Sequence, residues 1–193
     1  MDEKNNIDIT VYEEIEKLIS SLKIYVADKK IDKLLNKHSD DLYLLFFKAR
    51  IHYHQGDLEK AKSMLENITK ATPDFFSAIN LLCIIYCELD EYDKAITCLE
   101  DTIASNNYDY DVVRNLADLY LNMERYEDAI QVYKGITREY PDDVEVFKIL
   151  AELSKSAEYY DDALLYIEHA LKFAPGDAEL KNERDELLKR KQK

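Results

Sequence analysis

Thiols, imidazoles and paired carboxylates are the groups here that could do chemistry, and each has a spacing to judge it by. Cys83 and Cys87 stand four residues apart, and Cys98 follows on the next apolar stretch. Thiolates at that spacing suit zinc, but a structural zinc site takes four ligands in short paired steps. Cys83 also falls where other parts of the chain place alanine, so it reads as a small buried hydrophobe, and Cys87 as the thiol nearer solvent. His52 and His54 are two apart, which on a helix points them in different directions. His52 takes a core register and His54 a surface one. No His-Glu-x-x-His run and no nucleophile elbow occurs. Asp40-Asp41, Asp142-Asp143 and Asp161-Asp162 resemble helix starts, where carboxylates cap open amides. Glycosidase chemistry needs two carboxylates facing one cleft, and no pattern here brings a pair together. The expectation is a chain without catalysis, cofactor or metal.

The elements that would hold these groups follow from composition. Among 193 residues there are three glycines, three prolines and no tryptophan, against averages of roughly 7% and 5% for the first two. A phosphate-binding α/β fold needs glycine turns, and an all-β sandwich needs frequent Gly/Pro turns. Both are excluded, which leaves helices. The net charge of −14 sets the chain against nucleic acid and anionic membranes. It leaves basic or apolar protein partners. No apolar run approaches the ~18 residues of a membrane span, and the opening MDEKNN lacks a signal sequence's charge and apolar core. The expected location is cytoplasmic. Three clustered cysteines are no disulfide framework, and Asn67-Ile68-Thr69 is a chance glycosylation match on that reading.

A period of 34 organises the chain. Pro73, Pro141 and Pro175 lie on it, with turn formers Asn107 and Ser39 at the missing steps. Ala27, Ala61, Ala95, Ala129 and Ala163 repeat the step independently. Three residues before each stands Ile24, Leu58, Tyr92, Tyr126 or Tyr160; four after stands Ile31, Leu65, Leu99, Tyr133 or Ile167. Twelve before the last four alanines stands Ala49, Cys83, Ala117 or Ala151. Each unit carries two apolar stretches with 3,4-spacing, hence two amphipathic helices, joined by a short polar turn that makes them antiparallel. Small residues let the axes approach, and bulky ones fill the step to the next unit. Proline closes the second helix.

This pattern is similar to the tetratricopeptide repeat, a 34-residue helix–turn–helix. Leu116-Ala117, Tyr120, Tyr126, Ala129, Tyr133 and Pro141 carry the resemblance best. His52 replaces the usual tyrosine of its unit. The resemblance implies an all-α, right-handed α-α superhelical solenoid with units at 42–75, 76–109, 110–143 and 144–177. A degenerate unit within 1–41 precedes them, and a capping helix at 178–193, with Leu180, Leu187 and Leu188, follows. The basic end, Lys189, Arg190, Lys191 and Lys193, suits the helix dipole.

In arrays of this kind the first helices line a concave, partner-binding groove. The stripe opposite the core is then Tyr12 in the degenerate unit. It continues with Tyr43, Phe46, Phe47, Arg50 and Tyr53 in the first full unit and Asn80, Leu81 and Ile84 in the second. Arg114 and Asn115 extend it in the third, and Lys148 in the fourth. An open aromatic-apolar half is a binding surface for apolar anchors, unless the N-terminal helix folds over it. The carboxylate clamp that holds acidic chaperone tails is absent: of its registers only Asn115 matches, and Asp111 and Glu145 would repel a carboxylate. The expected role is a non-enzymatic adaptor for a partner peptide or helix. The alternatives are a self-associating homodimer and a cytosolic chaperone for an exported or unstable subunit.

Overall fold

The computed structural model describes residues 7–105 and 109–191, with the side chain of residue 191 left out. Asn107, the opening MDEKNN and the last two residues, Lys193 included, lie outside the described residues. Among the described residues there are helices and turns only.

The helices fall into two compact units. The first holds α1 (Ile9–Ser20), α2 (Ile24–Leu35), α3 (Leu42–His54), α4 (Leu58–Ala71), α5 (Phe76–Glu88) and α6 (Tyr92–Ala104). Each packs on the next, and α1 also lies on α3, and α3 on α5. The second holds α7 (Tyr110–Asn122), α8 (Tyr126–Glu139), α9 (Val144–Ser156), α10 (Tyr160–Phe173) and α11 (Ala178–Lys191), again packed in sequence order. The fold is an all-α helical repeat.

The five alanines of the 34-residue ladder are fully buried. They sit where helices of a pair come closest, and any larger side chain would push the axes apart. α4, α8 and α10 each stop two residues before Pro73, Pro141 and Pro175, as the restriction on the residue before proline requires. Asp8, Asp41, Asp109, Asp143 and Asp177 accept a backbone N–H from the first turn of α1, α3, α7, α9 and α11. The carboxylates at 41 and 143 therefore act as caps.

The turn inside each helix pair has a feature that composition did not reveal. Leu22, Gly56, Asp90, Glu124 and Glu158, spaced by 34, all have positive φ, between 56° and 78°. At each, the next residue's N–H reaches five residues back, as Lys23 N does to Leu18 O at 2.9 Å and Glu91 N to Tyr86 O at 2.8 Å. This is a Schellman closure of the first helix. Glycine suits it, yet four of the five positions are not glycine.

On α11, Leu180 and Leu187 are buried against Phe147, Ala163 and Ile167 of α9 and α10. Leu188, expected on the docked face, is 39% exposed. It follows Leu187 by one residue, about 100° around the helix, and so turns off the contact.

Candidate functional site

In the first unit, α1, α3 and α5 run side by side in one direction. Arg50 on α3 holds Glu16 on α1 with both guanidinium nitrogens, one at 3.0 Å, and Tyr53 donates to Glu88 of α5 at 2.6 Å. These partners are 34 and 35 residues apart in the chain. These contacts join α1, α3 and α5 along one face of the first unit.

Its aromatic part is not open. Phe46 is 8% exposed and Phe47 5%, which corrects the expectation of an exposed aromatic half. Tyr12 of α1 lies 6.5 Å from the Phe47 ring and 5.5 Å from Tyr43; Phe75, just ahead of α5, lies 5.1 Å from Phe46 and 5.2 Å from Tyr43. The phenylalanines are long enough to reach both neighbouring helices, and burial there removes their rings from water. Tyr12 is fixed by its hydroxyl, which donates to Asp41 at 2.6 Å. Burial, then that hydrogen bond, pushes the Tyr12 phenol above its ordinary range. Arg50 stacks on Phe46 and Phe47 while bound to Glu16, whose carboxyl is held low chiefly by this hydrogen bond. What stays open is Tyr43, 57% exposed, and Ile84, 47% exposed. Tyr53, Leu81 and Asn80 are half-buried.

The predicted residues of the second unit are held differently. Arg114 lies 3.4 Å from Asp118 and donates to the Tyr110 hydroxyl at 3.1 Å. Asp118 also accepts from Tyr133, and Asp143 from Tyr110. Lys148 sits between Glu145 at 3.4 Å and Asp177 at 3.0 Å, and Lys155 between Glu152 at 2.6 Å and Glu183 at 3.4 Å. Asn115 is half-buried. Each cation of the predicted stripe thus has at least one carboxylate against it, and Lys148 has two.

Two family models match the chain: one for the tetratricopeptide repeat, over residues 86–153, and one for subunit 3 of the anaphase-promoting complex, over residues 23–102. Solved structures share the arrangement. A tetratricopeptide repeat protein from Parabacteroides merdae is 19% identical over 92% of this chain and 72% of its own, with a TM-score of 0.67. A thermophilic protein of the same repeat class from Thermus thermophilus is 20% identical over 93% and 97%, with a TM-score of 0.61. The chain is a tetratricopeptide repeat protein. MamA from Desulfovibrio magneticus is similar in fold, at 18% identity over 91% of this chain and 96% of its own, TM-score 0.63. No curated protein matches the sequence.

Within these tetratricopeptide repeats the thiols and imidazoles are packing groups. Cys83 is buried, its thiol 3.9 Å from the Ala95 carbonyl. Hydrogen bonding with Cys98, then burial, pushes the Cys83 thiol up, and the same bond lowers Cys98. Burial raises the half-buried Cys87. His52 is half-buried; its buried Nδ1 makes no hydrogen bond and lies 3.6 Å from the Asp57 carboxylate, and desolvation lowers its pKa. Among the described residues no three His, Cys, Asp or Glu side chains are grouped to hold a metal. No helix among them is long and apolar enough to cross a membrane. Sequence reading missed a cleft of about 540 Å³ bordered by Thr69 of α4 and Thr97 of α6 over Ile79, Leu82 and Tyr86 of α5. Its lining threonines, Thr69 on α4 and Thr97 and Thr102 on α6, follow no helical period, so no spacing in the sequence marked it.

Proposed function

We propose that this protein is a non-enzymatic adaptor whose first-helix face binds a segment of a partner protein, with each 34-residue step from 42 to 177 acting as one repeat. The repeat family is one of protein-interaction scaffolds. The observation that carries the finer reading is the pair Tyr43 and Ile84, large side chains left about half in water on a face where Phe46 and Phe47 are buried. Exposed apolar side chains on a rigid helical surface are where a partner's apolar anchors gain most. Rigidity limits the ordering cost of binding to the ligand.

The charge pattern supports a neutral or basic ligand. Arg50, Arg114 and Lys148 already face carboxylates, so an acidic tail would have to displace them. The test is affinity capture from the native host with the wild-type protein and with Tyr43→Ser/Ile84→Ser. Both positions are exposed, so the variant keeps its helicity. A partner held by the wild type and lost from the double variant supports the reading. A partner retained by the variant overturns the assignment to this face.

A further inference from the structure

The turn between α1 and α2 departs from the pattern of its four counterparts. In the later pairs the left-handed turn residue is Gly56, Asp90, Glu124 or Glu158. The residues three and four places on are Glu59-Lys60, Asp93-Lys94, Glu127-Asp128 and Asp161-Asp162. In the first pair these places hold Leu22, Tyr25 and Val26, which are 75%, 70% and 52% exposed. No buried neighbour explains them. Leucine is a poor residue for positive φ, so neither packing nor backbone geometry favours it there.

The charge around them is the reverse of the molecule's. Residues 17–37 contain six lysines and two aspartates, in a chain with 40 acidic and 26 basic residues. Both aspartates lie on the flank of α2 that faces α3, where Lys48 holds Asp28 at 2.5 Å and Asp32 at 2.6 Å. Lys23, Lys29 and Lys33 stay exposed, and among the described residues none of them makes an ion pair. Lys29 lies 5.1 Å over the Tyr25 ring. Tyr25, Lys29 and Lys33 follow one another at four-residue steps, on one line along α2.

We propose that this edge is a second docking surface, separate from the first-helix face, for an acidic amphipathic helix of a partner protein. Its apolar residues would cover Leu22, Tyr25 and Val26. Carboxylates one turn apart on it would meet Lys29 and Lys33, which are themselves one turn apart. An anionic lipid surface fits less well. In the first unit α1, α3 and α5 are parallel, so the turns after them share one end. A flat membrane reaching Leu22 would also meet the turns at residues 56–60 and 90–94, where Glu59, Asp90 and Glu91 stand beside Lys60 and Lys94 and give no net attraction. A helix engages the first turn alone.

The probe is a peptide of about 18 residues with leucine and phenylalanine on one face and glutamate on the other, titrated against the isotope-labelled full chain. Amide shift changes confined to residues 20–37, weakening with salt, are expected. Tyr25→Glu/Val26→Lys installs the pair found at residues 59 and 60, and should weaken binding about tenfold or more with helicity unchanged by circular dichroism. Lys29→Glu/Lys33→Glu should do the same while keeping Leu22, Tyr25 and Val26 in place. Four outcomes overturn the proposal: no binding at millimolar peptide, shifts elsewhere, equal affinity in both variants, or binding equally strong with a scrambled peptide. Capture by phosphatidylserine vesicles in place of the peptide would assign the edge to lipid. A concentration-dependent dimer that both variants abolish would assign it to a second copy of the chain. Either result also overturns the proposal.

Discussion

The left-handed turn positions show how a single residue's backbone can be tuned without touching the core. Glu124 is exposed and has φ 58°, a conformation that costs a non-glycine residue roughly 1–2 kcal/mol. Glu124→Gly removes that cost but adds unfolded-state freedom. We expect a net gain of about 0.5–1 kcal/mol, read from the midpoint of urea unfolding. His52 offers a second handle. Its counterpart one repeat later, Tyr86, donates to Glu66 at 2.9 Å, whereas the buried Nδ1 of His52 makes no hydrogen bond and has only the Asp57 carboxylate at 3.6 Å. Because desolvation sets its pKa below the unfolded value of about 6.5, the unfolded chain takes up a proton first as pH falls. Stability associated with His52 is thus full above that value and declines as pH drops below it. His52→Tyr should abolish this part of the decline, seen as a flatter dependence of melting temperature on pH between about 7 and 5. Phe47→Ala should act on stability and not on binding alone. A buried aromatic lost to a cavity costs about 3–5 kcal/mol, measurable by the same unfolding experiment.

At the level of elements, the N-cap aspartates tie successive helix pairs together. Asp143 caps Val146 N and also accepts from Tyr110 of the preceding first helix; Asp41 does the same with Leu44 N and Tyr12; Asp177 caps α11 and binds Lys148. One carboxylate thus starts a helix and staples it to the helix before. Asp143→Ala should cost about 2 kcal/mol, near the upper end for a lost cap, because it also leaves Tyr110 without its acceptor. Asp143→Asn, which caps but holds no charge, should recover most of that. Comparing both variants with Tyr110→Phe in a double-mutant cycle separates the cap from the staple. Ala129→Leu tests the close helix crossing: the alanine is fully buried, and overpacking costs about 1–3 kcal/mol.

For the molecule as a whole, the two ends of the repeat series differ. At the C-terminal end α11 buries Leu180 and Leu187 on α9 and α10 and presents charged residues outward. At the N-terminal end the edge of α2 stays apolar and basic. Removing residues 178–193 should therefore expose the Ile167 and Ala170 surface, lower the melting temperature and promote aggregation in light scattering. The excess of negative charge, with 40 acidic residues against 26 basic, keeps such a chain dispersed in solution. It also makes any basic patch, such as that on α2, a local exception that long-range attraction can find.

The helices themselves were legible in the sequence because their causes are local. A small residue every 34 positions, apolar residues at three and four, an aspartate capping most first helices and a proline after most second helices each act within a turn or two of chain. The candidate face was legible only as a stripe. Which of its members remained open depended on contacts between residues about 34 apart. Phe46 and Phe47 match Tyr43 in register and type, and Tyr12 and Phe75 reach rings of all three, yet only the two phenylalanines are buried and Tyr43 stays half in water. Likewise Asp28 and Asp32 would neutralise α2 if read along the chain, and it is Lys48 on the next helix that pairs with both. Periodicity fixes which way a side chain points; side-chain reach across a packed neighbour decides whether water, a ring or an opposite charge meets it there.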